Sequence, residues 1–163
     1  MKKQLLTIIL IAFGGIIYAQ NDIKLGGFLA YGSEIENLGI GVNAEFGIIE
    51  NLSVVPSFIY YLPKNENSVK LNWWELNGDV HYTVLPTESV NLYALAGLNY
   101  THVSVEIDGF DFGSEGSDGN IGLNLGAGVD FNLDGNILPF AELKYVIMDP
   151  GQLVVSGGVK FLL

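Results

Sequence analysis

Residues 121–131 read Ile121-Gly122-Leu123-Asn124-Leu125-Gly126-Ala127-Gly128-Val129-Asp130-Phe131. Every odd position is apolar. Every even position is Gly, Asn or Asp. Successive side chains of a strand point to opposite faces, so this stretch is a strand with one apolar and one polar, glycine-rich face.

The same period of two extends outward from here along the chain. It predicts eight strands: Ile23–Tyr31, Leu38–Ile48, Leu52–Tyr61, Leu71–Leu85, Val90–Val105, Asn120–Leu133, Leu138–Ile147 and Leu153–Leu163. No long stretch keeps the 3.6-residue period of a helix. Turn residues separate the strands at Glu50-Asn51, Pro86–Ser89, Asp134–Asn136 and Asp149-Pro150-Gly151. Tight turns alternate with the longer connections Ser33–Asn37, Leu62–Lys70 and Glu106–Gly119, although Met148–Gly151 is short. In an up-and-down barrel that alternation gathers the tight turns at one end.

Charge follows the alternation. The apolar parity holds Ile23, Leu25 and Leu29 in the first strand, Leu38, Ile40 and Val42 in the second, and equivalent residues in the rest; it carries no charge. The opposite parity holds Lys24, Glu45, Glu75, Asp79, His81, Asp130, Glu142, Lys144 and Lys160, with Asn43, Asn77, Asn99, Asn124 and many glycines.

Composition narrows the setting. The chain of 163 residues is 49% hydrophobic and 15% charged, with 21 Gly, no Cys and a formal charge of −11. It is too apolar for a disordered chain. All its basic residues are lysine, and the acidic balance excludes the basic footprint of a nucleic-acid binder. Without Cys there is no disulfide scaffold, thiolate metal site or cysteine nucleophile. Lys2 and Lys3, the apolar run Leu5–Ile17 and the small residue Ala19 compose a secretory signal. Residues 1–19 are therefore expected to be removed, leaving a barrel domain over 20–163. Losing Lys2 and Lys3 but no acid takes the formal charge from −11 to −13.

A soluble barrel or sandwich would hide the apolar face; a membrane barrel turns it to lipid. Lipid is favoured by the aromatics of the apolar set, which gather near strand ends (Tyr31, Phe46, Phe58, Tyr60, Trp74, Tyr82, Tyr100, Phe131, Tyr145, Phe161) as in interfacial girdles. Strand cores of about 9–11 residues suit a tilted span. The polar face is rich in Gly and poor in charge, which suits a crowded lumen better than a solvated surface.

The chain ends Ser156-Gly157-Gly158-Val159-Lys160-Phe161-Leu162-Leu163. Ser156, Gly158, Phe161 and Leu163 resemble the terminal signal by which bacterial outer-membrane barrels are recognised for assembly, although Leu163 stands where that signal usually ends in an aromatic. With Val55-Pro56-Ser57-Phe58-Ile59-Tyr60-Tyr61, Asn91–Leu98, Gly122–Val129 and Ala141–Tyr145, the chain resembles the small eight-stranded outer-membrane barrels of the OmpX/OmpA type. It is similar in particular to Bacteroidetes porin-family or outer-membrane β-barrel domain proteins. The resemblance implies an all-β, eight-stranded, antiparallel transmembrane barrel in the outer membrane of a Gram-negative cell, reached after export across the inner membrane. It implies membrane lipid and the barrel-assembly machinery as partners and a monomer as the working unit. It names no surface partner.

The polar set is expected to fill the lumen as a salt-bridge network of Lys24, Glu45, Glu75, Asp79, His81, Asp130, Glu142, Lys144 and Lys160, with Lys24, Lys144 and Lys160 on strands that adjoin at closure. The alternative is a narrow cation-preferring pore lined by Glu45, Glu75 and Asp79. Most remaining acids lie on the connections. Asp108, Asp111, Glu115 and Asp118 form a candidate hard-cation cluster, but the spacing fits no EF-hand or nonapeptide repeat, so a solvated acidic loop is the expectation. His102, Ser104 and Glu115 resemble the triad of outer-membrane lipid A deacylases, with Val105 where that family has Asn; a structural rim histidine is the preferred reading. Trp73-Trp74 is read as girdle anchoring, since alternation sends its rings to opposite faces. No cofactor and no metal are expected. The expected function is a non-enzymatic envelope or surface-interaction component with a plugged lumen. The alternatives are a narrow channel, a lipid A-modifying enzyme and a soluble secreted barrel.

Overall fold

The computed structural model describes residues 23–66, 69–107, 116–133 and 135–163. Eight strands follow in chain order: β1 Ile23–Gly32, β2 Asn37–Ile49, β3 Leu52–Glu66, β4 Val69–Pro86, β5 Val90–Ile107, β6 Gly116–Phe131, β7 Ile137–Ile147 and β8 Gln152–Leu162. Each pairs antiparallel with its chain neighbours, and β8 returns to pair with β1, so the sheet closes with no free edge. Closure satisfies every strand edge internally, which lipid demands because it offers no hydrogen bonds.

Two connections are shorter than the sequence suggests. The segment Leu62–Lys70 reads as a loop, yet β3 and β4 continue to pair as Lys64↔Leu71, Asn65↔Lys70 and Glu66↔Val69. The register shifts between Tyr61 and Lys64, and this irregularity encloses Pro63. A proline has no N–H for a ladder and reads as a strand end; a bulge absorbs it while pairing resumes beyond. Likewise β5 and β6 pair out to Val105↔Gly116. At the other end, the Glu50-Asn51 turn relies on Asn51 at φ 66°, a left-handed conformation that Asn tolerates.

Burial assigns the faces. The charge-free parity points outward and is exposed or half-buried along every strand, with Leu29 at 60%, Leu98 at 61% and Ile121 at 77% of full exposure. The polar parity points inward: Glu75, Asp79, His81, Asn99, Asn124, Lys144 and Lys160 are all buried. An apolar surface of this extent wrapped around a buried polar interior is the inverse of a water-soluble barrel. The soluble alternative is thereby overturned.

Candidate functional site

The interior is the only place where this fold gathers chemically active side chains among the described residues. It is built in layers. At the end with the tight turns, a vestibule of about 390 Å³ is lined by Lys24, Glu45, Asn51, Ser53, Thr83 and Asn91, among others. Its floor is charged. Glu45 of β2 accepts from Lys24 Nζ of β1 at 2.8 Å through Oε1 and from Lys160 Nζ of β8 at 2.8 Å through Oε2. Ser53 Oγ adds a longer contact to Glu45 at 3.3 Å. Lys160 also donates to Asp130 of β6 at 2.8 Å, and its ammonium lies 5.2 Å from the Tyr93 ring centre and 5.0 Å from that of Phe140. Oppositely charged neighbours at this distance, together with two aromatic faces, replace the water that a buried ammonium loses.

The middle layer is amide-rich. His81 stacks on Tyr93 with ring centres 4.4 Å apart, and its Nε2 lies 3.7 Å from Glu142 Oε2. Tyr93 donates its hydroxyl to Glu142 at 3.0 Å. Lys144 approaches Asp79 at 3.8 Å across the bore. Asn124 donates to Asp79 at 2.7 Å and to Asn77 at 2.9 Å; Asn99 donates to Asn77 at 2.8 Å. Glu75 accepts from Gln152 at 2.6 Å and, more loosely, from Asn99 at 3.4 Å. A small cavity in this layer is lined in part by Asn43, Ser57, Asp79, Glu142 and Ser156; at about 10 Å³ it has room for about one water.

The outer layer is apolar, and the alternation did not reveal it. Ala30, Ile35, Ile59, Tyr61, Trp73, Val146 and Val154 are buried together, with Leu71, Val103 and Met148 packed against them. Ile35 comes from the β1–β2 connection and folds over the bore. The legible signal is that Ile59-Tyr60-Tyr61, Trp73-Trp74, Val146-Ile147 and Val154-Val155 are apolar on both parities, as in strands buried on both faces. Trp73 accordingly lies inside against Tyr61, while Trp74 faces outward beside Phe58, Tyr100 and His102. Of the two tryptophans, only Trp74 can serve as a girdle residue.

A family profile described as "Outer membrane protein beta-barrel domain" matches residues 12–159. The chain belongs to this family. Its place in the cell is the outer membrane, and its strands cross that bilayer. Among solved structures, the N-terminal barrel domain of Pseudomonas aeruginosa OprF is similar at 19% identity and TM-score 0.65, over 88% of this chain and 98% of that one. Neisserial surface protein A is similar at 18% identity and TM-score 0.67, over 87% and 96%. Ail, the attachment invasion locus protein of Yersinia pestis, solved with the heparin analogue sucrose octasulfate, is similar at 19% identity and TM-score 0.61, over 86% and 97%. At these identities the likeness is one of fold. A comparison with curated proteins gives no significant match.

The candidates outside the lumen do not come together among the described residues. His102 faces outward with its ring 5.1 Å from that of Trp74, and Ser104 follows on the same face; Glu115 lies outside the described residues. Asp108 and Asp111 lie outside them as well. Asp118 is exposed, and its Oδ1 accepts from the backbone N–H of Gly119 at 2.9 Å. No group of three metal-ligating side chains occurs among the described residues. In β8, Ser156 and Gly158 face inward and Phe161 is exposed outward; Leu163, just past the strand, is exposed as well. A Cβ on Gly158 would overlap the carbonyl oxygen of Gly27 and crowd Phe28, so glycine is needed there for close approach of the closing strands.

Proposed function

We propose that the protein is a non-enzymatic, non-conducting integral component of the outer membrane, whose barrel is a filled post that carries its connecting loops. The observation behind this reading is the layered interior. A charged floor, an amide-bonded middle and an apolar lid occupy the bore in series, and eight strands enclose little more than side-chain volume. The rival pore would need Glu45, Glu75 and Asp79 to face water. Instead Glu75 is fully buried beneath the apolar lid, and Asp79 is 2% exposed. Planar-bilayer recording of the purified protein tests the reading. No stable unitary current is expected; reproducible cation-selective steps would overturn it.

On this reading, residues 1–19 act as the export signal, and Ser156, Gly158, Phe161 and Leu163 engage the assembly machinery. The mature barrel works as a monomer with its tight turns in the periplasm. The loops then present Glu34, Glu36, Asp118 and Asp149, with further acids in the longer connections. Ail was solved with a sulfated heparin analogue. An acidic outer end repels such polyanions, so a surface partner for this chain is cationic or bridged by divalent ions.

A further inference from the structure

The seam where β8 closes on β1 is poor in side chains. Register there runs Lys24↔Leu162, Leu25↔Phe161, Gly26↔Lys160, Gly27↔Val159, Phe28↔Gly158 and Leu29↔Gly157. Four glycines lie in this short stretch. Side-chain packing normally specifies strand register, and glycine-rich strands specify it weakly. A slip of one residue is prevented because it would turn Lys24 or Lys160 into lipid. A slip of two keeps every face correct, and only specific contacts oppose it.

Hydrogen bonds between Ser33 and Leu153 and the packing of Phe28 over Gly158 are two such contacts, and an ion-pair cluster is the third. Glu45 lies on neither seam strand, yet its two oxygens hold one lysine from each: Lys24 of β1 and Lys160 of β8, both at 2.8 Å. Asp130 of β6 grips Lys160 from the far side, also at 2.8 Å. A two-residue slip moves the base of Lys160 by about 7 Å along the strand. That displacement breaks the Lys160–Glu45 pair, which crosses the seam, while Asp130 holds Lys160 on its own side through the β6–β7–β8 registers and Lys24 holds Glu45 on the other. We propose that the Glu45–Lys24–Lys160–Asp130 cluster is a clasp that sets the register in which the last strand closes on the first, and with it the stagger of the whole barrel. The cluster positions the closing strand; it is not a ligand site.

The chain has no Cys, so cross-linking across the seam has a clean background. Leu25→Cys with Phe161→Cys reports the native register. Leu25→Cys with Val159→Cys, or with Leu163→Cys, reports a slip of two in either direction. All four positions are exposed, away from the clasp. In refolded parent protein, the native pair is expected to form at least ~90% of the disulfide. In the neutralised variant Glu45→Gln/Asp130→Asn/Lys160→Met, which leaves no stranded charge among those three, slipped disulfides are expected to rise at least fivefold. If that variant does not give the folded gel mobility, Glu45→Gln alone is read in the same way and should shift in the same direction. An unchanged partition in the folded variant overturns the clasp. So does a partition that moves with Phe28→Ala, which tests packing over Gly41 and Gly158, while staying fixed with the charge variants.

Discussion

Replacing Lys160 with Met tests the energetics of the charged floor. Lys160 is 1% exposed and contacts groups on four other strands: Glu45 on β2, Tyr93 on β5, Asp130 on β6 and Phe140 on β7. Met preserves much of the stem volume and removes the ammonium. Glu45 retains Lys24 at 2.8 Å, so it keeps one partner. Asp130, itself 5% exposed, loses its 2.8 Å partner. Removing one member of a buried pair typically costs about 3–5 kcal/mol, because the other charge stays desolvated without compensation. The two cation–π contacts are lost with the ammonium and push the loss toward the upper end of that range. Lys160→Met should therefore lose about 3–5 kcal/mol in urea unfolding from lipid vesicles, followed through the fluorescence of Trp73 and Trp74. The second arm is a rescue. Asp130→Asn in the Lys160→Met background removes the stranded charge and should recover at least about 2 kcal/mol. A Lys160→Met loss below about 1 kcal/mol, or a double variant whose loss is the sum of the singles, would contradict a buried, uncompensated Asp130. Either would mean that water or local relaxation already satisfies Asp130, so the floor is not a closed electrostatic unit.

Further expectations concern single positions. A Cβ on Gly97 would overlap Asp79 Oδ1 and the Gly78 carbonyl oxygen, so Gly97→Ala should cost about 1–3 kcal/mol in the same unfolding assay. Gly27 has open space around it, and Gly27→Ala should stay within about 0.5 kcal/mol of the parent. Ala96 lies outward, midway between Leu92 and Tyr100; Ala96→Lys should cost about 2–4 kcal/mol in vesicles, as a charge near the bilayer midplane does. His102→Ala should leave lipid A acylation unchanged by mass spectrometry, since the ring serves as a neighbour of Trp74; a change in acyl number would reinstate the deacylase reading.

Most of the wall was legible because a strand in a membrane barrel sees two opposite solvents. Ile121, Leu123, Leu125 and Val129 alternate with Gly122, Asn124, Gly126 and Asp130, and period two alone assigns their faces. The same alternation put all nine candidate lumen residues on the inward parity. It was less informative where both faces are apolar. Tyr61, Trp73, Val146 and Val154 sit inside the outer third of the bore, and a sequence pattern that expects a polar lumen does not look for them there. Pro63 likewise reads as the end of a strand that in fact continues through a bulge.

The number of strands, the inside and outside of each, and the confinement of charge to the lumen and connections are all written in the period-two pattern. These depend on local periodicity and on the cost of placing a charge in lipid, both of which are properties of a residue and its near neighbours. Which charges meet is set by the closed barrel. Lys144 reaches Asp79 across the bore, Gln152 reaches Glu75 from β8, and Glu45 joins Lys24 to Lys160 over a sequence span of more than a hundred residues. Such pairings follow from the stagger with which the sheet closes. That stagger is a property of all eight strands together, and no one strand carries it.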